Sequence, residues 1–385
     1  MAVSMTSRTI VIAAGGTGGH FFPAEALADA LVARGHHIVL MTDARAGKRS
    51  SGVFAHSPQF VLQGAGVAGR GPIRALRAGV TLLASAWKAR NLLQDVQPDA
   101  VVGFGGYPSI PPLLGARLMG RKHPALIIHE GNAVLGKANA VLSRFADVIA
   151  TSFPTVAKLP MGARTVLTGM PVRPAIAALA GDPWQEPDNG VHLLVWGGSL
   201  GARIFSQVVP AAIARLPDTL RTRISITQQA RADDVEAVRQ AYAGMGVKAR
   251  VEPFLNDVPD LLRSAHLVIG RAGGSSVAEI TTAGRPSLLV PLPIAASDEQ
   301  TENARAITDV GAGWMIRQPD FTAQTLATRL QDLFTAPDEL ARAAAAAATL
   351  ARPDAALRLA DIVEECLQLS PSPVPPPSSK TETRT

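Results

Sequence analysis

Short apolar segments rich in valine and isoleucine alternate with longer helical patterns along most of the chain. This alternation is typical of βαβ units that build a parallel sheet. In the first half it predicts strands at 9–13, 37–41, 100–102, 125–129 and 148–150. In the second half it predicts strands at 192–196, 223–227, 248–251, 266–269, 287–290 and 314–316. Helical patterns between and after them include residues 24–34, 74–93 and 355–367.

The two halves repeat one local plan. Residues 10–19 and 193–201 each form a buried strand, then a glycine turn, then the start of a helix. We therefore expect an α/β protein with two Rossmann-like, doubly wound domains that face each other across a cleft.

A stretch containing proline, glycine and aspartate, residues 181–190, separates the halves and favours a linker or hinge. We place the boundary near residue 175, which assigns residues 1–175 and 176–352 to the two domains. The helical segment 353–368 is expected to return to the first domain. The tail, residues 369–385, is rich in proline and serine and is predicted to be disordered.

Composition limits the class of protein. At 385 residues and 47% hydrophobic, the chain can bury two cores. Its longest apolar-looking stretch, 101–116, is interrupted by glycines and prolines, and residues 1–8 lack the apolar centre of a secretory signal. A cytoplasmic protein is therefore expected. The single cysteine, Cys366, excludes an internal disulfide and any multi-cysteine metal site, and a packed or surface helix thiol is favoured.

The formal charge of +6 permits attraction to nucleic acid, anionic lipid or phosphorylated substrates. No run of five or more basic residues occurs, and aromatic residues make up only 4% of the chain. Both features disfavour single-strand binding, so we predict no nucleic-acid partner.

Glycine-rich turns follow three predicted strands. The first turn, at 15–20, precedes a helix, and Pro23 is expected in the first turn of that helix. The N–H groups of the glycine turn and the helix dipole suit an anion or a sugar oxygen. A turn that binds no ligand is the alternative. Neither G-x-G-x-x-G nor a P-loop occurs, which disfavours NAD and ATP. Asp43 is the one residue that suits an NAD ribose, and a turn aspartate is favoured instead.

The second-domain turns carry groups suited to a nucleotide. Ser199 can donate to a phosphate oxygen, and Glu279 can accept hydrogen bonds from two ribose hydroxyls or serve as a helix-dipole partner. No Asp-x-Asp pair occurs, so we predict neither a metal nor a cofactor. A departing diphosphate would then rely on N–H groups, dipoles and Arg173, whose alternative role is pairing with a surface carboxylate.

Seven motifs in order carry a family resemblance over residues 8–368. They are Gly-Gly-Thr-Gly-Gly-His at 15–20, Gly-Gly-Tyr-Pro-Ser at 105–109, His-Glu-Gly-Asn at 129–132, Gly-Met-Pro-Val-Arg at 169–173, Gly-Gly-Ser-Leu-Gly-Ala at 197–202, Arg-Ala-Gly to Glu at 271–279 and Asp-Glu-Gln-Thr-Glu-Asn at 298–303. The chain resembles the MurG family, bacterial transferases that move N-acetylglucosamine from UDP onto the C4 hydroxyl of a lipid-linked muramyl-pentapeptide.

This resemblance implies a B-type glycosyltransferase fold, metal-free inverting chemistry and a role in peptidoglycan synthesis, cell shape and division. It implies that His20 is the base, although a histidine that only shapes the loop is the alternative. It also implies donor-binding positions at Thr17, Gly18, Gly19, Asn132, Arg173, Ser199, Leu255, Glu279 and Gln300, with Leu255 acting through its backbone beside uracil. One departure is plain, because the family usually has glutamine where this chain has Gly131.

The segment 72–90 mixes apolar residues with Arg74, Arg77, Lys88 and Arg90 and carries Trp87 near one end. Such a helix suits either an anionic membrane surface or a protein core. The resemblance favours the first, which predicts a peripheral protein on the cytoplasmic face of the inner membrane, with cell-wall synthesis proteins as possible partners.

Three other functions remain open. A glycosyltransferase for a small lipophilic acceptor, or a UDP-sugar epimerase, would share the second-domain motifs. A nicotinamide-dependent oxidoreductase would bind NADH. A non-catalytic scaffold of wall synthesis would bind the UDP-sugar without turnover.

Overall fold

The computed structural model describes residues 7–15, 18–44, 47–62, 72–188, 190–198, 201–293 and 298–369. The side chains of residues 72–78 and 369 are outside this description. Several residues named above therefore lie outside the described part of the chain: Thr17, Ser199, the side chains of Arg74 and Arg77, and the tail from residue 370 onward. The predictions for them stay predictions.

The first sheet has seven described strands, all parallel, in the order β3-β2-β1-β4-β5-β6-β7. Their bounds are β1 Thr9–Ala13, β2 His37–Asp43, β3 Gln59–Leu62, β4 Ala100–Gly103, β5 Ala125–Glu130, β6 Val148–Thr151 and β7 Thr165–Leu167. The second sheet has six described parallel strands in the order β10-β9-β8-β11-β12-β13. Their bounds are β8 Val191–Trp196, β9 Ile224–Gln229, β10 Lys248–Glu252, β11 Leu267–Gly270, β12 Ser287–Leu289 and β13 Gly313–Met315.

Helices cover the faces of both sheets. In chain order the described α-helices are α1 Gly18–Ala33, α2 Pro72–Val96, α3 Gly106–Arg117, α4 Lys137–Leu142, α5 Pro174–Ala177, α6 Arg203–Ile213, α7 Asp218–Arg221, α8 Val235–Ala243, α9 Val258–Ser264, α10 Gly274–Thr282, α11 Glu299–Thr308, α12 Ala323–Thr335, α13 Pro337–Thr349 and α14 Ala355–Leu369. Because helices lie on both sides, central strands such as β4 and β11 are buried along their whole length.

Each of the predicted strand segments overlaps an observed strand, and the expected fold class is confirmed. The sequence pattern missed β3 and β7, which are the two edge strands of the first sheet. Both are short, and β7 is largely exposed, so neither shows the continuous apolar run of a buried strand.

The last helix lies on the first sheet rather than on the second. Leu359, Ala360 and Val363 of α14 pack in the same core cluster as Ile10 and Leu27. Glu364 pairs with Arg34 at 2.8 Å and with the His36 ring at 2.9 Å. Cys366 is a buried thiol of this cluster.

Helix α1 corrects one expectation. It begins at Gly18, so Pro23 lies in its second turn rather than its first. Proline has no N–H to donate to the carbonyl four residues earlier, which is that of Gly19. The Gly19 carbonyl is therefore left without its helical partner beside the cleft described below. Separately, none of the helices in the described part of the chain is long and apolar enough to cross a membrane.

Candidate active site

A cleft of about 870 Å³ lies between the two sheets, where the glycine turns meet. The first sheet contributes the start of α1, including Gly18, Gly19 and Phe22. The second sheet contributes the turn after β8, the start of α10 and Gln300 of α11. Carboxyl ends of parallel strands are the usual ligand sites of doubly wound sheets, so this cleft is the candidate active site.

His20 is held in one ring orientation by the main chain. Its Nδ1 lies 2.8 Å from the Phe104 carbonyl oxygen, which can only accept a hydrogen bond. Nδ1 therefore carries the proton, and Nε2 keeps a free lone pair. This is the tautomer that a general base needs.

Two glycines of the first domain make room for that ring. Gly105 and Gly106 have φ angles of 77° and 66°, which glycine adopts without steric cost. A Cβ at Gly106 would stand 3.6 Å from the His20 Nε2 atom. Glycine thus keeps the space around the unprotonated ring nitrogen open.

An ion pair crosses from the end of the first domain to α10. Arg173 Nη2 donates to Glu279 Oε2 at 3.0 Å. Glu279 is only 4% exposed; burial raises the pKa of its carboxyl, and the Arg173 guanidinium opposes that rise. Arg173 Nε is buried and has no hydrogen-bond partner among the described residues. The pair therefore keeps an unused donor beside the cleft.

Gln300 is oriented by two main-chain donors. Its Oε1 accepts hydrogen bonds from the N–H groups of Ala272 at 3.2 Å and Leu292 at 3.0 Å. With the oxygen occupied, the side-chain NH₂ group is the part available to a ligand. Gln300 also lines the cleft, so it offers a fixed donor there.

The turn after β8 requires glycine at several positions. Gly198 and Gly201 have φ angles of 79° and 65°. A Cβ at Gly197 would stand 2.5 Å from the backbone nitrogen of Ala202. The turn can therefore bring its backbone close to a bound anion.

Leu255 lies at the far side of the cleft, next to Phe254. Leu255 is 4% exposed, whereas the Phe254 ring is 54% exposed, and both line the cavity. An exposed aromatic face beside a backbone turn suits a flat heterocycle, because such a ring can stack on it.

A buried polar network joins the two domains next to the cleft. Glu130 accepts hydrogen bonds from the backbone and side chain of Asn132, from the Gly136 N–H and from Asn139 Nδ2. Asn303 of α11, which is fully buried, accepts from the Ala133 N–H at 2.7 Å. Its amide group also donates to Asn132 Oδ1 at 3.0 Å and to the Ala272 carbonyl at 2.9 Å.

His129 lies in the same buried layer. Its Nε2 stands 3.1 Å from the Gly169 carbonyl. Burial lowers its pKa to about 4, and the hydrogen bond to Gly169 opposes that shift. The ring is therefore neutral at physiological pH, and it hydrogen-bonds to its own domain without lining the cleft.

The charged side chains that line the cleft are mostly arginines. Over the described ranges, no three His, Cys, Asp or Glu side chains are grouped so that they could share a metal ion. The charged groups of the cleft are instead the arginines at positions 49, 173, 203, 231 and 271 together with Glu279.

Comparison with known proteins agrees with this geometry. Residues 10–151 match the N-terminal domain of glycosyltransferase family 28, and residues 192–359 match the C-terminal domain of the same family. The chain belongs to glycosyltransferase family 28.

Named relatives of family 28 place the chain more narrowly, within the MurG group. A protein of Gluconobacter oxydans is 58% identical over 94% of this chain and 100% of its own length. One of Granulibacter bethesdensis is 54% identical over 97% of each chain. Both are named UDP-N-acetylglucosamine–N-acetylmuramyl-(pentapeptide) pyrophosphoryl-undecaprenol N-acetylglucosamine transferase. The crystal structure of Acinetobacter baumannii MurG has a TM-score of 0.76 at 30% identity, over 93% of this chain and 99% of that one.

The structure brings most of the predicted family 28 site residues together. Gly18, Gly19, Arg173, Leu255, Glu279 and Gln300 line the cleft, with His20 next to Gly19. Asn132 does not line it, because its side chain is engaged with Glu130 and Asn303. Asp43 is buried at the end of β2 and is not among the residues that line the cleft.

Sequence reasoning missed several cleft residues of this family 28 chain, among them Arg49, Phe22 and Phe254. Arg49 follows no motif and comes from a loop before the missed strand β3, so no local signal pointed to it. Phe22 lies two residues after His20, and its proximity to that motif was the one available clue.

Met170 lies against Gly131, the position at which this chain lacks the usual glutamine. A Cβ at Gly131 would stand 2.7 Å from Met170 Cε. The methionine thus occupies the space next to Gly131 where a larger residue would extend, and the domain junction stays filled.

Proposed function

We propose that this protein transfers N-acetylglucosamine from UDP-N-acetylglucosamine to the C4 hydroxyl of a lipid-linked N-acetylmuramyl-pentapeptide, with inversion and without a metal. The observation that carries the proposal is the His20 tautomer, held at Nδ1 by a main-chain carbonyl. His20 directly follows Gly19, which lines the same cleft as Glu279 and Gln300. The names of relatives 58% and 54% identical to this chain support the same substrates.

In this mechanism His20 Nε2 accepts the proton of the acceptor hydroxyl as that oxygen attacks the anomeric carbon. UDP leaves from the opposite face of the sugar, so the linkage becomes β-1,4. The Phe104 carbonyl stabilises the imidazolium that forms, because it accepts from the Nδ1 proton.

The departing diphosphate is stabilised by the main chain and one arginine. Helix α10 is nine residues long, and the N–H groups of its first turn face the cleft through Ser275 and Ser276. Arg173 adds its unused Nε donor and its positive charge. Thr17 and Ser199, which lie outside the described residues, are further proposed contacts of the phosphates.

The nucleoside is bound by the second domain. Glu279 Oε1 has no hydrogen-bond partner among the described residues and suits the ribose hydroxyls, while Oε2 stays with Arg173. Leu255 and Phe254 form the uracil site, and the Gln300 amide donates to the sugar or phosphate. Residues 1–175 then present the acceptor, and residues 176–352 bind the donor.

The acceptor's lipid requires contact with a membrane. On α2, Val80, Leu83 and Trp87 are 60%, 65% and 57% exposed. The Arg90 guanidinium lies 4.9 Å from the Trp87 ring centroid. An apolar stripe with adjacent cations suits an anionic surface, so we place the protein peripherally on the cytoplasmic face of the inner membrane. Other cell-wall synthesis proteins are its proposed partners there.

The test mixes purified protein with UDP-N-acetylglucosamine and the lipid-linked acceptor in the presence of chelator, and measures UDP release. We expect release that depends on the acceptor and survives chelation. His20→Ala should lower kcat by roughly 100- to 10,000-fold, the usual contribution of general acid–base catalysis. His37→Ala removes an exposed histidine of the same domain and should leave the rate unchanged.

The same experiment separates the rival functions. An epimerase would convert the UDP-sugar without an acceptor, and a scaffold would bind it without releasing UDP. Quenching of NADH fluorescence on mixing would favour an oxidoreductase. Any of these results, or equal rates for the two histidine variants, would contradict the proposal.

A further inference from the structure

Two neighbouring phenylalanines at the start of α1 each carry an arginine on the ring face. The Arg49 guanidinium carbon lies 3.6 Å from the centroid of Phe21. The Arg173 guanidinium carbon lies 5.1 Å from the centroid of Phe22. All four residues line the cleft, so the first domain contributes two cations to it.

Arg49 is held in place by its own main chain. Its N–H donates to Gln59 Oε1 at 2.7 Å, and its carbonyl accepts from Gln59 Nε2 at 2.9 Å. Gln59 belongs to β3, so a sheet strand fixes the backbone from which the arginine extends. A guanidinium stacked on an aromatic ring is held in a plane with its N–H groups pointing outward, which suits bidentate binding of phosphate.

The charge of Arg49 is compensated only in part within the described part of the chain. Arg173 pairs with Glu279, but no ion pair of Arg49 with a described carboxylate is formed. Its Nε atom is buried and has no hydrogen-bond partner among the described residues. Burial and Asp29 raise the pKa of the Glu25 carboxyl, and the charges of Arg49 and Arg173 oppose that rise. No hydrogen bond joins Glu25 to Arg49.

A buried donor beside an open cleft points to a ligand with negative charge. Leaving such a donor unpaired is unfavourable, whereas a bound phosphate would satisfy it. The proposed reaction has two diphosphates, one on the donor and one on the lipid-linked acceptor. The second-domain turns and Arg173 already surround one anionic position, and Arg49 adds a second cation from the first domain.

We propose that Arg49 binds a diphosphate on the first-domain wall of the cleft, as a second cationic site beside Arg173. The identity of the ligand rests on the proposed function. Its place on the first domain favours the acceptor's diphosphate over that of UDP.

The test compares Arg49→Met, Arg49→Lys and Lys48→Ala with the unchanged protein. Methionine keeps apolar contact with Phe21 but removes the charge, and lysine keeps the charge but loses the planar fork. Lys48 is the exposed neighbour in the same loop, so Lys48→Ala controls for net charge. Thermal melting of each variant establishes that it is folded.

For kinetics, we expect Arg49→Met to raise the KM for the lipid-linked acceptor by roughly 10- to 100-fold, the usual effect of losing hydrogen bonds to a charged group. Arg49→Lys should recover part of that loss, and Lys48→Ala should stay within about twofold. A rise in the donor KM and in the Kd for UDP would assign the site to the donor's diphosphate instead. Unchanged constants for both substrates would overturn the proposal.

Direct binding separates this proposal from the proposed function. Inorganic pyrophosphate is titrated calorimetrically into protein saturated with UDP, which leaves the acceptor side open. Weaker binding to Arg49→Met than to Lys48→Ala supports the site even if no acceptor is turned over. Equal binding to both variants, with and without UDP, contradicts it.

Discussion

The two domains share one strand order and differ in what they place at the strand ends. The order β3-β2-β1-β4-β5-β6 of the first sheet corresponds to β10-β9-β8-β11-β12-β13 of the second. In the first domain β5 ends at His129 and Glu130, which are both 2% exposed. The equivalent strand β12 ends at Leu289, and the next residue, Val290, is also apolar and buried.

Because of that difference, the two walls of the cleft carry different polar groups. The first domain buries a polar network and holds the His20 ring by a main-chain carbonyl, whereas the second domain presents a carboxylate and an amide to the cleft. The apolar pattern repeats because both sheets need buried strands, but the pattern carries no information about the loops. The loops at corresponding positions are therefore where function differs.

The largest effect should come from changing Asn303, a buried side chain that joins the two walls. Asn303→Asp places a carboxylate against Asn132 Oδ1 and the Ala272 carbonyl, to which the amide now donates. An unpaired buried charge costs about 3–5 kcal/mol of unfolding free energy. Chemical denaturation at pH 7 measures this loss, and UDP release should fall with it.

The pH dependence of that variant distinguishes a bridge from mere packing. Burial raises the pKa of the introduced carboxyl above its unfolded value, so the folded state binds the proton more tightly. The stability of Asn303→Asp should therefore recover as pH falls and be lost as pH rises through the folded-state pKa. Glu302→Gln, a partly exposed change on the same helix, is the control. A loss that does not vary with pH would contradict the bridging role.

The buried His129 ring of the first domain should make the protein less stable in acid. The pKa of His129 is about 4 in the folded state, against an ordinary value of about 6.5. Because the unfolded chain takes up the proton first, His129 lowers stability progressively as pH falls from about 6.5 to 4, by about 3 kcal/mol in total.

His129→Gln removes this contribution, so its unfolding free energy should fall less steeply with acid than that of the unchanged protein. Glu130, whose pKa burial raises, is present in both proteins and cancels in the comparison. Denaturation curves between pH 7 and pH 4 measure the difference, with His37→Gln as the exposed control. Parallel curves for the variant and the unchanged protein would refute it.

Glu279→Gln tests the second wall and should have a smaller effect. The change removes the charge that pairs with Arg173 and one acceptor proposed for the ribose. Losing hydrogen bonds of this kind costs about 2 kcal/mol, which is roughly a 30-fold rise in the donor KM. The acceptor KM should stay unchanged, and Glu236→Gln on exposed α8 is the control. A matching rise in both constants would mean that Glu279 acts on the cleft as a whole.

The sequence predicted the fold well and the site in part, for different physical reasons. Buried parallel strands are continuous apolar runs, so each such strand was found, whereas the exposed edge strand β7 was not. The glycine turns were found because they follow strands directly, and Glu279 was found because it lies on the helix that one of these turns precedes. Arg49 and Asn303 were not assigned roles, because their contacts with Phe21 and Asn132 join parts of the chain that are distant in sequence.

The smallest effect is expected at the domain junction, where two glycines meet. At Gly131 an added Cβ meets Met170 Cε, the far end of a flexible side chain, and the backbone angle there is ordinary. Gly131→Ala should therefore cost less than about 1 kcal/mol of unfolding free energy and leave UDP release unchanged.

Gly274→Ala is the matched contrast on the opposite wall. Its Cβ would overlap the Gly131 carbonyl oxygen, which is backbone and cannot rotate away. Accommodating it requires the start of α10 to move away from the first domain, and with it Glu279 from Arg173. Gly274→Ala should therefore lower the rate of UDP release more than Gly131→Ala does. Equal rates for the two variants would mean that this backbone contact does not hold the junction. The two walls could then separate without any loss in the rate of UDP release.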